Sequence, residues 1–448
     1  MAHAICVKSA DLTSGLPDSV DVAVCGGGPT GVAAAVTCAR AGLSVALVEK
    51  NGFCGGAAVA GLSGTICGLF LAEENPAAPQ QIVYGFTEEF LTALRARNGV
   101  TAPQLYGKTY VLTHDPLNWR ETADAMLEQA GVRCLFHTTV TGVVMDGASI
   151  TGIRLISSAG ESVLHCSMAI DATGDGMLAV HAGCESKCGD GFSVQYPTMM
   201  FRMADVDKDV FLDYYGNDAI VPEKLVKAMT EAEMDGRYCL PRKKIWIFPT
   251  PRDRVFLFNV TKISHSDGSA LNPLSPVERT RAEVEGRKAV REYERFFREH
   301  VPGCANAYVM DTGTEVGVRQ TRSIVTWDTL TNDDVVGCRK RADGIVKSAW
   351  PIELHGNDKP QLHWLLHDYY EIPYLALAPR GVERLLVAGR CFGAEHAALA
   401  SARVTAQCFE MGHAAALAVG LALEDKQALR DVDVAKLRNR LRKNGSNI

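Results

Sequence analysis

Residues 20–50, VDVAVCGGGPTGVAAAVTCARAGLSVALVEK, constrain the fold more than any other stretch of the chain. An apolar run ends in a glycine turn, an alanine-rich helical pattern follows, and a second apolar run closes on Glu49. Gly26, Gly28 and Gly31 have the spacing G-x-G-x-x-G. In a strand–turn–helix–strand unit the first glycine makes the tight turn and the second admits a pyrophosphate against the backbone. The third lets the helix lie on the sheet. A helix opening at Pro29 or Thr30 aims unpaired N–H groups and its positive dipole end at the phosphates. Glu49 follows Gly31 by 18 residues, where a carboxylate accepts from a ribose diol. A glycine triplet alone says little; framed by strand, helix, strand and acid, it predicts a dinucleotide site on a parallel sheet.

A length of 448 residues exceeds what one hydrophobic core organises, so two domains are expected. The net charge of −6 argues against nucleic acid or an anionic membrane as a partner. The opening MAHAICVKSADLTSG has no apolar core after a basic region, and the most apolar helical stretch, Ala414–Leu423, is too short to span a bilayer. The expectation is a cytoplasmic protein. Its 14 cysteines, scattered and without a C-x-x-C, read as reduced thiols, and no ligand set for a metal stands out.

After Glu49, residues 51–70 are rich in glycine and small side chains. Amphipathic helices are predicted over 84–98 and 115–130, the second with Asp115 as N-cap and Pro116 at its first position. Short strands are predicted over 132–136, 138–146, 149–157 and 162–166. A further apolar strand from Met168 runs into Ala172-Thr173-Gly174-Asp175, a second glycine landmark. Near residue 190 the texture changes to aromatic strands, over 196–203 and 244–260, and a charged helix over 276–299. From Val382 the earlier pattern returns: the strand LLVA, Gly389, a small-residue loop over 390–401, and a helix from Ala402 to Leu423. The expected division is a first domain over 17–189 and an inserted domain over 190–375. The first domain resumes over 376–425, and a tail over 426–448 carries a surface helix at 434–443.

Three separated segments now match one pattern: DVAVCGGGPTGVAAA with VALVEKNGFCGGAA (Asp21–Ala58), IDATGDGMLA (Ile170–Ala179) and LLVAGRCFGAEHAALASARV (Leu385–Val404). Weaker matches, PTMMFRM, GVRQTRSIV and YEIPYLALAPRGVERL, lie between them in the same order. The chain resembles the FAD-dependent oxidoreductase family of the glutathione-reductase-like (GR2-type) FAD/NAD(P)-binding superfamily. The resemblance implies an α/β fold: a three-layer, Rossmann-like FAD domain with a parallel sheet flanked by helices, and an inserted α+β substrate domain built on antiparallel sheet. It implies FAD as cofactor. Gly26, Gly28, Pro29, Thr30 and Gly31 would hold the pyrophosphate, and Glu49, followed by Lys50, the adenosine ribose. Cys54, Gly55, Gly56 and Ala57 would line the flavin side of the pyrophosphate, Val140 would offer backbone groups to adenine, and Ala172, Thr173 and Gly174 would close over the dinucleotide. Gly389 and Arg390 would sit beside the ribityl chain. A helix opening near Ala402, Arg403 and Val404 would point N–H groups at the flavin pyrimidine. That placement has its own physics, since a helix N-terminus stabilises the anionic reduced flavin by about 0.3–2 kcal/mol.

The chemistry is expected elsewhere. His396, in GAEHAAL, is the first candidate for proton transfer, against a structural histidine bonding a loop carbonyl; His355, after an alternating strand, is the second. Arg322 is the third catalytic candidate, and Arg319, Arg202 and Arg403 are candidates for binding a planar anionic substrate. The competing role for Arg319 and Arg322 is salt bridging, with Asp333 and Asp334 for instance. Cys54 lacks the partner five residues away that a redox disulfide over a flavin requires; the next cysteine is Cys67. No second strand–GxGxxG–helix unit marks a domain for a nicotinamide donor. The expected function is therefore hydride transfer between a small polar organic substrate, in its narrower form carboxylate-bearing, and flavin N5. An unidentified electron acceptor or donor completes the cycle, and homo-oligomerisation stays open. The alternatives are a flavin-dependent monooxygenase and, from another class, a non-catalytic flavin-binding redox sensor or scaffold.

Overall fold

Three stretches far apart in sequence lie side by side in the central seven-stranded sheet. Ser19–Cys25 pairs in parallel with Val45–Val48 on one flank and with Gly160–Asp171 on the other. Leu385–Val387 then joins Gly160–Asp171 in parallel, and Arg133–Leu135 pairs with Val45–Val48 at the outer edge. The register sets Val48, Cys25, Asp171 and Val387 in one row, so four strands end together at their carboxyl ends. The computed structural model describes residues 18–191, 194–356 and 361–448; the stretch 1–17, read above for a leader, lies outside the described residues.

Gly160–Asp171 is one 12-residue strand, where the sequence had suggested a short strand over 162–166 and another from Met168. Its first half alternates exposed and buried residues beside the antiparallel strands Thr139–Asp146 and Ser149–Ser157. Met168–Asp171 is buried throughout, as a parallel strand covered on both faces must be. One strand thus carries both patterns, which split it on reading.

The helix Pro29–Arg40 packs on Thr405–Asp425 at backbone distance: a Cβ added to Gly412 would lie 2.0 Å from the carbonyl oxygen of Thr30. Thr405–Asp425 is long and apolar enough by composition to cross a membrane, and 94% of its apolar window is buried inside the fold. The helix expected from Ala402 is in fact two: His396–Ala402 ends, Val404 is extended at ψ 165°, and Thr405 begins the next. Asp115 caps Pro116–Ala130 through the N–H groups of Leu117 and Asn118, as the sequence predicted.

A second layer lies across the carboxyl ends. Trp246–Pro249, Phe256–Asn259, Phe201–Ala204 and Tyr308–Thr312 form a four-stranded antiparallel sheet in that order, so the run over 244–260 is a hairpin rather than one strand. The charged helix Pro276–His300 covers it with a buried stripe of Ala282, Gly286, Val290, Tyr293, Phe296 and Phe297. This core draws on residues from Met199 to Val316, whereas Ile345, Val346, Tyr370 and Ile372 pack into the core of the parallel sheet. The apolar residues of 190–375 are therefore shared between two cores.

Candidate active site at the carboxyl edge of the sheet

A cavity of about 510 Å³ runs between the two layers, from Glu49 to His355. The glycine turn forms its first part. Gly26 has φ +98°, and a Cβ on it would lie 2.4 Å from the Ala172 carbonyl oxygen; a Cβ on Gly31 would lie 1.7 Å from the Gly26 oxygen. Both glycines are fixed by the fold itself. Gly28 differs: its backbone is ordinary at φ −69°, and a Cβ there would approach nothing nearer than 3.9 Å. It lines the cavity and caps Pro29–Arg40 without a side-chain hydrogen bond, leaving helix N–H groups unpaired at the wall. Only a ligand needs that glycine bare. The residues present thus fit a pyrophosphate.

Glu49 fixes both carboxylate oxygens on backbone, Oε2 accepting from Gly27 N at 2.6 Å and Oε1 from Asn51 N at 2.8 Å. Burial raises its pKa, and those two bonds and Lys50 oppose the rise. Beyond it the wall carries a chain of charges: Lys50 to Glu315 (2.6 Å), Arg279 to Glu315 (2.9 Å) and to Asp175 (3.8 Å), and Arg390 to Asp175 (2.8 Å). Three cations, Lys50, Arg279 and Arg390, are thus spread along this wall beside the carboxylates Glu49, Asp175 and Glu315.

Of the expected cofactor residues, Gly26, Gly28, Pro29, Thr30, Glu49, Lys50, Gly56, Ala57 and Val140 line the cavity, as do Ala172, Thr173, Gly174, Gly389, Arg390, Arg403 and Val404. Gly31, Cys54, Gly55 and Ala402 stand behind the wall. Gly31 lets the helix meet the turn, and Cys54 is fully buried with its Sγ under Gly27. Gly55 N–H donates to the Gly27 oxygen (2.7 Å), and Ala402 ends the short helix instead of opening the long one.

The chemistry candidates separate in the same way. His355, Arg319 and Arg403 line the far end of the cavity. His396 is the first residue of His396–Ala402, half-buried and off the wall, with Nδ1 buried and unpartnered; burial lowers its pKa. Arg322 stands off the cavity wall and donates to the carbonyl oxygen of Asp175 (3.0 Å). Arg202 binds Asp311 at 2.5 Å and Asp115 at 3.2 Å, fastening the antiparallel sheet to the cap of Pro116–Ala130. Asp334, offered above as a partner for Arg319 and Arg322, pairs with Arg339 and Arg341 instead.

Around His355 the structure gathers residues the sequence reading passed over. His355 Nε2 is 2.9 Å from Glu353 Oε1, and Tyr106 donates its hydroxyl to the same oxygen (3.1 Å). Arg242 stacks over Trp246 at 4.5 Å and places one nitrogen 3.1 Å from His355 Nδ1. Arg319 donates to the Tyr196 oxygen (2.6 Å) and to Asn259 Oδ1 (3.3 Å); Arg403 donates to Gln195 Oε1 (3.0 Å). Phe248, Trp350 and Met200 complete the wall. Burial alone would raise the Glu353 pKa, but the hydrogen bond from His355 and the charges of Arg403 and Arg319 outweigh it and hold it well below its usual value. Burial and then Arg319 push the His355 pKa well below its usual value. Burial and the neighbouring Arg242 and Arg403 depress the Arg319 pKa, yet a guanidinium stays protonated at any ordinary pH. Glu353 was legible after all: in PIELHG it is two residues before His355, on the same face of the strand Ile352–Leu354 extended to His355. Tyr106 and Arg242 carried no comparable signal.

Known proteins agree with this architecture. A family model described as FAD dependent oxidoreductase matches residues 21–441. No curated protein sequence matches the chain. Among solved structures, a geranylgeranyl bacteriochlorophyll reductase-like protein from Thermoplasma acidophilum is 15% identical over 95% of this chain and 83% of that one, with a TM-score of 0.50. The p-nitrophenol 4-monooxygenase of Pseudomonas putida is 12% identical over 95% and 84%, also with a TM-score of 0.50. At such identity these likenesses speak for the fold alone. The family match covers nearly the whole chain: the protein belongs to the FAD dependent oxidoreductases, and is an enzyme with FAD as its cofactor.

Proposed function

We propose that this FAD-dependent oxidoreductase, on the glutathione-reductase-like branch of its superfamily, exchanges a hydride between a carboxylate-bearing organic substrate and FAD, with 190–375 roofing the substrate end. One observation carries the reading: three guanidinia, Arg242, Arg319 and Arg403, are gathered around one carboxylate among the described residues, Glu353, at the end of the cavity away from Glu49. Buried charge is costly unless matched, and a guanidinium matches a carboxylate in shape as well as sign.

The glycine turn, Glu49 and the Thr173–Gly174 turn hold FAD. When bound, it supplies a two-electron centre that exchanges hydride at N5. Arg403 and Arg319 orient the substrate through its carboxylate. Tyr106 has its proton on Glu353 Oε1, so its oxygen is open to accept the substrate proton released as the hydride leaves. As it does so, the proton already on Tyr106 passes to Glu353, and the phenol stays neutral throughout. A bound substrate anion offsets the guanidinium charge that keeps Glu353 so weakly basic, which makes Glu353 a better acceptor once the site is filled. His355 is a positioning residue that fixes Glu353. Phe248, Trp350 and Met200 exclude water from the reacting end.

Anaerobic mixing of the oxidised holoenzyme with a panel of organic acids, amines, alcohols and sugars tests the proposal. Bleaching of the flavin by one or more acids is the expected result. Bleaching by uncharged compounds only, or turnover solely as nicotinamide-driven hydroxylation, would overturn it.

A further inference from the structure

The charge at the far end of the cavity exceeds what one carboxylate neutralises. Arg319 and Arg403 line the wall, and Arg242 stands directly behind His355. Among the described residues facing them, Glu353 is the one carboxylate. His355 adds no charge, because its Nδ1 faces an Arg242 nitrogen, which can only donate. Tyr106 adds none, since its hydroxyl hydrogen lies on Glu353. Three positive charges against one negative leave two unmatched. Lys244, half-buried beside Arg242 and Glu353, deepens the imbalance.

A second observation points to where a ligand sits. Among the described residues, Arg403 Nε is buried with no hydrogen-bond partner, and so is Nε2 of Gln195, whose Oε1 accepts from Arg403 at 3.0 Å. Arg403 lines the cavity with Gln195 behind it, and an unpaired guanidinium donor on that wall makes a site for anionic oxygen. Buried donors without acceptors are rare enough that each calls for a partner. Arg319 has both terminal nitrogens on Tyr196 and Asn259, so it acts on a ligand through its charge more than through free N–H groups.

Resting on the proposed function, we infer that the substrate carries two anionic groups. One is taken by Arg403, which Gln195 holds in place, and the other lies in the field of Arg319 and Arg242. A substrate with one acid group leaves a guanidinium uncompensated in a water-poor cavity; one with two closes the balance.

The test titrates FAD-loaded protein with succinate, glutarate and adipate and with the monoamide of each, which keeps the shape and removes one charge. The readouts are the flavin absorbance change and protection against thermal unfolding. At least one dicarboxylate is expected to act at a concentration at least ~10-fold below its monoamide. In Arg403→Gln the ratio should fall towards unity, and in Arg403→Lys much of it should persist. Equal potency of acid and monoamide, or no effect from any of these compounds at millimolar concentration, would overturn the inference. If a monocarboxylic acid nonetheless bleaches the flavin, the broader proposal of an organic-acid substrate survives. If no acid of either kind does, both fall.

Discussion

His355 sits between Glu353 and Arg242, with Nε2 at 2.9 Å from the carboxylate and Nδ1 at 3.1 Å from the guanidinium. A guanidinium cannot accept, so Nδ1 does, and the ring is the neutral tautomer with its hydrogen on Nε2, directed at Glu353. Glu353 is thereby held between a neutral donor, a phenol and three cations. Glu353→Gln removes the only negative charge of that group. Breaking a buried ion cluster on one side costs about 3–5 kcal/mol, and denaturant unfolding at neutral pH should show a loss of that order. A loss below about 1 kcal/mol would mean that the guanidinia find their counter-charge elsewhere.

Tyr106 and His396 separate by kinetics. Tyr106→Phe removes the hydroxyl that bonds Glu353 and should slow substrate-driven flavin reduction by about 100-fold or more, the usual worth of a positioned proton acceptor. His396→Ala, off the cavity wall, should leave the reduction rate within about 3-fold of the parent, well short of such an effect. The reverse pattern would restore His396 to the chemistry.

Gly28 and Gly31 should fail in different ways when each becomes alanine. Gly31→Ala drives a methyl into the Gly26 carbonyl and should lower stability even without cofactor. Gly28→Ala meets no protein atom closer than 3.9 Å but projects into the cavity. The apoprotein should melt as the parent does, while FAD binds at least ~10-fold more weakly. Melting curves of both apoproteins and a fluorescence titration with FAD decide this.

Two buried groups outside the cavity give opposite pH signatures. His114 lies tilted against Trp119 with both ring nitrogens buried and unpartnered among the described residues, and burial lowers its pKa to about 4. Below about 6.5 the unfolded chain takes up that proton and the folded chain does not, so stability is lost as pH falls from there towards 4. His114→Phe should therefore gain stability over the parent as pH drops through that window. Glu410 is raised by burial to about 7, with Oε1 accepting from Thr87 N and Oγ1, and Oε2 meeting Ser446 Oγ. Its folded pKa lies above the unfolded value near 4.5, so its contribution is full below that and lost as pH rises through 7. Glu410→Gln keeps the oxygen on Thr87 and donates to Ser446. Its advantage should grow between pH 5 and 8 to about 3 kcal/mol, the worth of the pKa difference. Melting temperatures measured across pH for both variants and the parent check the two signs.

The cofactor end was legible because its parts are local. Gly26, Gly28 and Gly31 fall within one turn and the start of one helix, and Glu49 is placed by the length of a helix and a strand, so spacing in sequence becomes spacing in the site. The same reasoning misjudged Ala402, because alanine-rich sequence has no mark for the interruption at Val404 that turns Arg403 to the cavity wall.

At the substrate end single residues arrive from separate elements. Tyr106, Arg242, Arg319, Glu353, His355 and Arg403 come from strands, loops and a helix end spread over nearly 300 positions. Whether an arginine there reaches a ligand or a protein carbonyl depends on which way its backbone faces once the sheets are packed. Arg322 and Arg319, three apart and alike in sequence, show it: one closes on the Asp175 carbonyl and the other on the cavity wall. The sequence by itself determined the glycine turn and its fit to a dinucleotide, since that turn is built from contiguous backbone. Only the tertiary structure decided which charges meet in the dark end of the cavity, because a buried electrostatic balance is a property of neighbours in space.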